Sequence, residues 1–533
     1  MRKLPIFVSF LFLANSWAYS NVTIDYVPLQ LTNFKMKHPE PIGLLTTSTG
    51  DPVDIRKTST LNTNMFANSF FTEQILHVDK ARTPPRPVHA RGSGAHGYFV
   101  VTHDVSKYTS AAVFNGIGKK TPVFGRFSPA TPNLGGPELN RDIKGLAVKY
   151  YTEEGNLDHL CLHLPVYMYR NPTDFDFLVR AQRRNPKTNI MDQTVAWDYR
   201  TNRPDIFHLL FWLYSDYTIP NGYRKMDIFP IHAYEIYNKK GERFYVRFNY
   251  RTEQGLANLT NVQAQAIASQ DQDYFTRDLY NAIENKNYPS WTLEMDVIPF
   301  RDLKKLNYNP FDVTKLWEKG TYKTVTIGRL VLDRNVDNWF REVEQSAFNP
   351  SNLVPGISGP MDFLFQSRVV SYRDAQDYRL GVNHNKIDIN LPKYAKTYLR
   401  DGNPPTRYNM KDAPNYLPNS FNGPVPYIDE NAPSRRLLVL ESYAVDFGNV
   451  AEFYNNVLKT EEERIRLARN IAADLVLVQE PVKTRVIKML SLINETLAER
   501  VAAAAVPPTP KKPLMATKET YAPLARCIEV FRP

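Results

Sequence analysis

Cysteine is almost absent: the 533 residues contain two, Cys161 and Cys527. So few cysteines in so long a chain exclude a disulfide scaffold, and the fold must rest on a packed core. There is no block of like charge either. Lys and Arg outnumber Asp and Glu by 66 to 55, but the excess is spread along the chain, which argues against a nucleic-acid partner. No apolar run reaches the roughly 20 residues that span a bilayer. Internal repeats, a nucleophile elbow, an H-E-x-x-H pair and a phosphate loop are all missing. Hydrophobic residues at 43% and charged residues at 23% exclude a disordered tail, a collagen-like fibre and a multi-span membrane protein.

What is present starts at the N-terminus. Arg2 and Lys3 precede an apolar run over residues 4–14, and Ser16-Trp17-Ala18 follows with small residues at a signal-peptidase spacing. Residues 1–18 therefore read as a cleaved secretory signal, and an extracellular destination is expected. Sequons at Asn21, Asn258 and Asn494 suit an exported glycoprotein. The 31 Tyr and 29 Phe can fill a large aromatic core.

Strand-like runs rich in β-branched and aromatic residues occur at 98–102, 145–151, 245–250 and 324–332. Helix-like stretches separate them, at 262–267 and 273–283 among others. The pattern predicts a mainly β core with long helical insertions rather than alternating βα units. Residues 390–435 are rich in Pro, Asn and Tyr without either period, as in an extended segment that wraps over something. From 449 to 504, Glu, Leu, Ala, Arg and Ile recur at helical spacing, which predicts a small all-helical unit. A Pro-rich tail follows Val506.

Three motifs carry candidate chemistry. Gly92-Ser93-Gly94-Ala95-His96-Gly97 fits the dinucleotide pattern, but strand-like text follows it where a phosphate loop needs a helix. His159, Cys161 and His163 would share one face of a strand and resemble zinc ligands, yet no fourth ligand is near and an ordinary strand explains them equally well. The third motif is Arg368-Val369-Val370-Ser371-Tyr372-Arg373-Asp374-Ala375-Gln376, with Arg379 beyond it and Gly381 as a helix stop. On a helix, Arg368, Tyr372 and Arg379 fall on one face. A fixed cation beside a phenol favours its phenolate, a strong ligand for ferric haem.

This third motif closely resembles the haem-ligand segment of the monofunctional haem catalases, with Val370 where that family usually has Phe. Val88-His89-Ala90-Arg91-Gly92 resembles the distal-histidine segment. Arg126-Phe127-Ser128, Arg141-Asp142-Ile143-Lys144-Gly145, Tyr288-Pro289-Ser290-Trp291, Asn349-Pro350-Ser351-Asn352 and Ala413-Pro414-Asn415-Tyr416 match further blocks in the same order. The resemblance implies an α+β fold, the catalase fold. It consists of an antiparallel eight-stranded β-barrel with helical insertions, a wrapping segment and a C-terminal helical domain. The expected division is an N-terminal arm at 19–44, a haem core at 45–389, the wrapping segment at 390–435, the helical domain at 436–505 and a tail at 506–533. It further implies haem b as cofactor, hydrogen peroxide as substrate, breakdown to water and dioxygen as reaction, and a homotetramer. Tyr372 would be the axial iron ligand, with Arg368 holding it ionised. Arg86, Arg126 and Arg379 would pair the propionates, Val88 and Phe175 would pack on the haem faces, and His89 would be the distal base, oriented by Ser128.

The sequence departs from the family in two places. Continuing the ungapped match from Arg141 to Pro165 puts Leu162 where the family has a distal asparagine. Leucine offers no hydrogen-bond donor, and losing one in the transition state costs about 2.7–4 kcal/mol, roughly 10²–10³-fold in rate. Strand alternation turns His163 the opposite way, and Tyr167 and Met168 replace phenylalanines nearby. The expectation is therefore a catalase of reduced rate. The alternatives are a catalase-fold peroxidase acting on organic hydroperoxides, and a haem-binding homologue with little turnover. The family's NADPH site is matched by His208, Ser215 and Trp317, but Tyr217 and Lys319 stand where an arginine and a histidine belong, which makes NADPH binding doubtful.

Overall fold

The computed structural model describes residues 24–56, 68–131, 133–433 and 446–506. The stretch read as a secretory signal, the Asn21 sequon, Cys527 and the Pro-rich tail lie outside the described residues. Every strand and helix expected above is found. The strands are β1 Ser93–Val101, β2 Lys120–Pro129, β3 Lys144–Thr152, β4 Gly155–Leu162, β5 Tyr234–Tyr237, β6 Arg243–Thr252, β7 Ser290–Pro299 and β8 Lys323–Asn335. A two-residue β9, Ile357–Ser358, adds a ninth strand to the eight expected, at the edge of β5.

All pairings are antiparallel, in the order β4-β3-β2-β1-β8-β7-β6-β5-β9. Two consecutive meanders, β1–β4 and β5–β8, are thus joined through β1 and β8. The sheet curls on itself. Ile228 bridges Tyr250 in β6 while Phe229 bridges Leu162 at the end of β4, so one short segment closes the gap between the two halves. Period-2 alternation then gives the barrel wall two faces. Phe127, Leu146, Cys161, Tyr150 and Leu157 point inward to an aromatic core with Phe99, Phe248, Tyr234 and Trp291. Phe124 and Leu160 point outward, to a patch shared with Val343, Phe348, Ile389 and Tyr372. On that outer face Lys149 and Asp158 form a fully buried ion pair at 2.8 Å, with the Lys149 ammonium 5.0 Å from the centre of the Phe348 ring.

The helix Phe363–Leu380 lies on this outer side. Asp362 starts it by accepting the Phe365 N–H at 2.8 Å, and Gly381 ends it. Residues 391–433 contain no helix or strand. Side chains pin them instead: Asn383 Nδ2 donates to the carbonyls of Asp401, Gly402 and Pro404, and Arg400 donates to those of Asn409 and Pro414. The C-terminal helices Glu461–Leu475, Val482–Ile493 and Glu495–Ala504 share a second core with the helix Phe207–Tyr214. Thr460 opens the first of them with a capping box to Glu463. Among the described residues, no helix is long and apolar enough to cross a membrane.

The glycines of the apparent dinucleotide motif are explained by packing. Gly97 sits at a register shift between β1 and β8, where an added Cβ would lie 1.9 Å from the Val331 carbonyl oxygen. Gly97→Ala is therefore expected to lower stability by about 1–3 kcal/mol, by forcing the two strands apart. Denaturant unfolding measures this, and an unchanged midpoint would refute the close approach.

Candidate functional site

Two polar systems meet on the outer face of β2–β4. The first belongs to the helix Phe363–Leu380. Arg368 Nη2 donates to the Tyr372 hydroxyl oxygen at 3.3 Å, one turn along the helix. The other arm of the guanidinium donates from Nη1 to His232 Nε2 at 2.7 Å, and His232 Nδ1 donates to Asp362 Oδ2 at 2.9 Å. Asp362 thus starts the helix with one oxygen and orients the partner of Arg368 with the other. Burial works against the Arg368 charge. The Tyr372 and Tyr167 oxygens outweigh it and hold the Arg368 pKa above its usual value.

The second system is a row of paired residues across three strands. Ser128 in β2 faces Gly145 in β3, which faces Leu162 in β4. His89 lies over this row. Its Nδ1 bonds Ser128 Oγ at 3.0 Å, and an added Cβ on Gly145 would meet the His89 Cε1 at 3.1 Å. A β-carbon there would press on the ring. His89 has φ +59°, a left-handed conformation uncommon outside glycine and frequent at functional sites. Burial and then the Arg126 charge lower its pKa to about 4, so the ring is neutral at pH 7.

Leu162 is the next residue in that row and so lies on the His89 face. His163 turns the other way: its Nδ1 accepts the Lys144 N–H at 3.0 Å and its Nε2 bonds the Thr218 carbonyl at 3.1 Å. His159 and Cys161 point to the barrel interior, where His159 bonds Tyr250, so the three candidate zinc ligands do not converge. Among the described residues, no group of three or more His, Cys, Asp or Glu could hold a metal ion.

Three further guanidinium groups crowd the site. Arg86 reaches Glu344 Oε2 at 3.2 Å and Arg379 reaches Glu344 Oε1 at 2.7 Å. Arg126 donates to the Ala90 carbonyl at 3.0 Å, and its Nε is buried without a hydrogen-bond partner. Burial, together with the Arg126 and Arg379 charges, holds the Arg86 pKa well below its usual value. Burial, with Arg379 contributing, brings Arg126 down to about 10. Three guanidinium groups against the single Glu344 carboxylate leave an excess of two positive charges. The haem that the resemblance implies carries two propionates, so this cluster fits it. Val88 is half-buried beside His89, whereas Phe175 is exposed, its ring 6.4 Å from Tyr169.

Sequence reasoning missed Glu344, His232, Asp362 and Gly145. Only Gly145 carried a local signal, as the glycine of a strand opposite a polar position. The three residues that match the dinucleotide site are engaged within the protein. His208 Nδ1 donates to Thr314, its Nε2 accepts from Trp212, Ser215 donates to the Trp212 carbonyl and Trp317 to that of Pro310. The Trp212 ring packs 4.4 Å from Phe453 and 5.2 Å from Tyr217.

Comparison with known proteins agrees with this geometry. A family model described as Catalase matches residues 46–423, and one described as Catalase-related immune-responsive matches 441–505. Catalase from Glandirana rugosa is 39% identical over 477 residues, 86% of this chain and 89% of that protein. Catalase-2 from Caenorhabditis elegans is 37% identical over 476 residues, 87% of this chain and 95% of its own length. The solved structure of catalase A from Saccharomyces cerevisiae superposes with a TM-score of 0.81 at 34% identity, covering 87% of this chain and 99% of that one. The similarity runs through the segment that carries His89, the strand that carries Ser128 and the Tyr372 helix, and on that extent the chain belongs to the catalase family.

Proposed function

We propose that this chain breaks down hydrogen peroxide to water and dioxygen at a haem b held between His89 and Tyr372. The observation that carries this reading is the pairing of a neutral, serine-bound histidine with a tyrosine held by an arginine, beside a cluster with two unbalanced positive charges. Haem is the cofactor that the family implies, and it supplies the redox centre at which the peroxide O–O bond breaks. The chain's own residues supply the rest. Tyr372 would offer its oxygen to the iron, and Arg368, fixed by His232 and Asp362, would keep a positive charge against it. Arg86, Arg126 and Arg379 would neutralise the propionates. Ser128 holds His89 Nδ1, so that Nε2 is the nitrogen that takes a proton from peroxide and returns it to the leaving oxygen.

Leu162 supports a second reading, because an apolar side chain beside His89 suits the alkyl group of an organic hydroperoxide. The leader at residues 1–18 supports export. Exposed Leu31, Phe34 and Met36 on the arm, with Tyr427 and Ile428 on the wrapping segment, are apolar groups that assembly into a tetramer would cover.

Tyr372→Phe is expected to abolish stable haem binding or leave a weakly ligated ferric spectrum, and an unchanged absorption spectrum would remove Tyr372 as ligand. Oxygen evolution should stay level from pH 7 to about 5 and fall as pH passes about 4, where His89 becomes protonated and cannot accept the peroxide proton. A midpoint at the ordinary histidine value of 6.5 would remove His89 as the base. Leu162→Asn should raise oxygen evolution at least about tenfold, equivalent to about 1.4 kcal/mol of barrier. The gain should be larger with hydrogen peroxide than with bulky hydroperoxides. A variant with full haem and no gain would show that the missing amide does not limit the rate.

A further inference from the structure

A second buried polar cluster sits inside the barrel, and the mechanism above makes no use of it. His159, Tyr150 and Tyr250 are all fully buried. The Tyr250 hydroxyl lies 2.6 Å from His159 Nδ1, and the Tyr150 hydroxyl lies 2.5 Å from that of Tyr250. His159 Nε2 is buried with no hydrogen-bond partner, and the ring packs against Phe248 at 4.9 Å and Tyr234 at 5.8 Å between centroids. An unpartnered polar atom in an aromatic core costs stability, so packing gives no reason for a histidine here. The cluster is also connected to the site. Tyr372 bonds Arg368 at 3.3 Å, Arg368 bonds His232 at 2.7 Å, and the His232 ring lies 6.3 Å from that of Tyr234. Tyr234 in turn neighbours His159. The path from the axial tyrosine to Tyr250 is therefore continuous, and each of its steps is short enough for electron tunnelling.

We propose that Tyr250, hydrogen-bonded to His159, is a redox-active tyrosine that stores one of the two oxidising equivalents taken from the first peroxide. The inference rests on the functional reading above, which supplies the oxidant. One electron leaves Tyr250 for the oxidised haem, which falls by one equivalent, and the Tyr250 O–H bond breaks. The proton crosses the existing hydrogen bond to His159 Nδ1, leaving a neutral tyrosyl radical beside an imidazolium. Burial pushes the Tyr250 pKa far above its usual value, so the electron cannot leave from a phenolate and must leave together with the proton. Burial also lowers the His159 pKa to about 3, so the ring is neutral and able to accept. Tyr150 donates its hydroxyl to the Tyr250 oxygen and holds it in place. The second peroxide leaves as dioxygen and gives up two electrons and two protons. One electron restores the haem and the other returns to Tyr250, which recovers its proton from His159.

The test uses the full-length holoenzyme, mixed with one equivalent of hydrogen peroxide and freeze-quenched for electron paramagnetic resonance. The expected signal is an organic radical that narrows when the chain carries ring-deuterated tyrosine. It should fall at least tenfold in Tyr250→Phe and in His159→Leu, and persist in Tyr234→Phe. In the wild-type chain, labelling with 15N-histidine should alter the radical's pulsed spectrum, a readout that needs no variant to fold. A signal that survives in Tyr250→Phe, or is blind to the histidine label, overturns the proposal. Haem content and the optical change on adding peroxide are recorded in the same samples. Full haem that peroxide oxidises without forming this radical overturns the proposal alone. A chain that takes no haem, or holds haem that peroxide leaves unchanged, overturns it together with the functional reading.

Discussion

Positive charge taken out of water is the constraint around which the outer face of the barrel is arranged. Arg86, Arg126, Arg368 and Arg379 are all buried, and a guanidinium cannot shed its proton to escape the cost. Each must therefore find an anion, a carbonyl or a neutral acceptor. Glu344 serves Arg86 and Arg379 together, the Ala90 carbonyl serves Arg126, and His232 serves Arg368. These contacts tie the segment before β1, strand β2, the region around Glu344 and the helix Phe363–Leu380 into one unit. Moving any of them would leave a buried cation alone, a change that typically costs about 3–5 kcal/mol. The same unit sets the position of His89 against Ser128 and of Tyr372 against Arg368, so charge compensation and site geometry are one problem with one solution.

Strand alternation then separates two polar systems that share β4. Leu160 and Leu162 face outward toward Tyr372 and His89, while His159 and Cys161 face the barrel core. A shift of one residue would exchange these sets and put His163 beside His89. The pairing Ser128–Gly145–Leu162 fixes the register, and the bonds of His163 to Lys144 and Thr218 hold it there.

Much of the architecture was legible because it depends on local residue types. The strands announce themselves by β-branched and aromatic runs such as Tyr245–Tyr250, and the C-terminal helices by period and by caps such as Thr460 with Glu463. The site was legible where short motifs held it: His89, Arg126, Ser128, Arg368, Tyr372 and Arg379 all come to the outer face of the barrel. What supports those residues was not legible. Arg86 and Glu344 are 258 positions apart, Arg368 and His232 136, and His232 and Asp362 130. Nothing in the text around His232 or Glu344 marks a partner so distant; only the closure of the sheet and the docking of the helix bring them together. The dinucleotide-like glycines misled for the complementary reason, since close strand packing and phosphate binding both select residues without a Cβ.

Leu162 alters one part of this arrangement and leaves the others in place. The contacts that hold His89 to Ser128 and Tyr372 to Arg368 do not involve residue 162. Leucine offers no hydrogen-bond donor on the His89 face, where a donor acting in the transition state would be worth about 2.7–4 kcal/mol. On the proposed reading, slower use of peroxide would lengthen the interval during which oxidising equivalents are held between two substrate molecules. A buried phenol with its own base, joined to the axial tyrosine by a short path, gives those equivalents a place to reside away from the haem edge. The apolar outer face of β4 and the polar histidine on its inner face are two consequences of one strand: on the reading proposed here the first would slow the exchange with peroxide, and the second would make the delay tolerable.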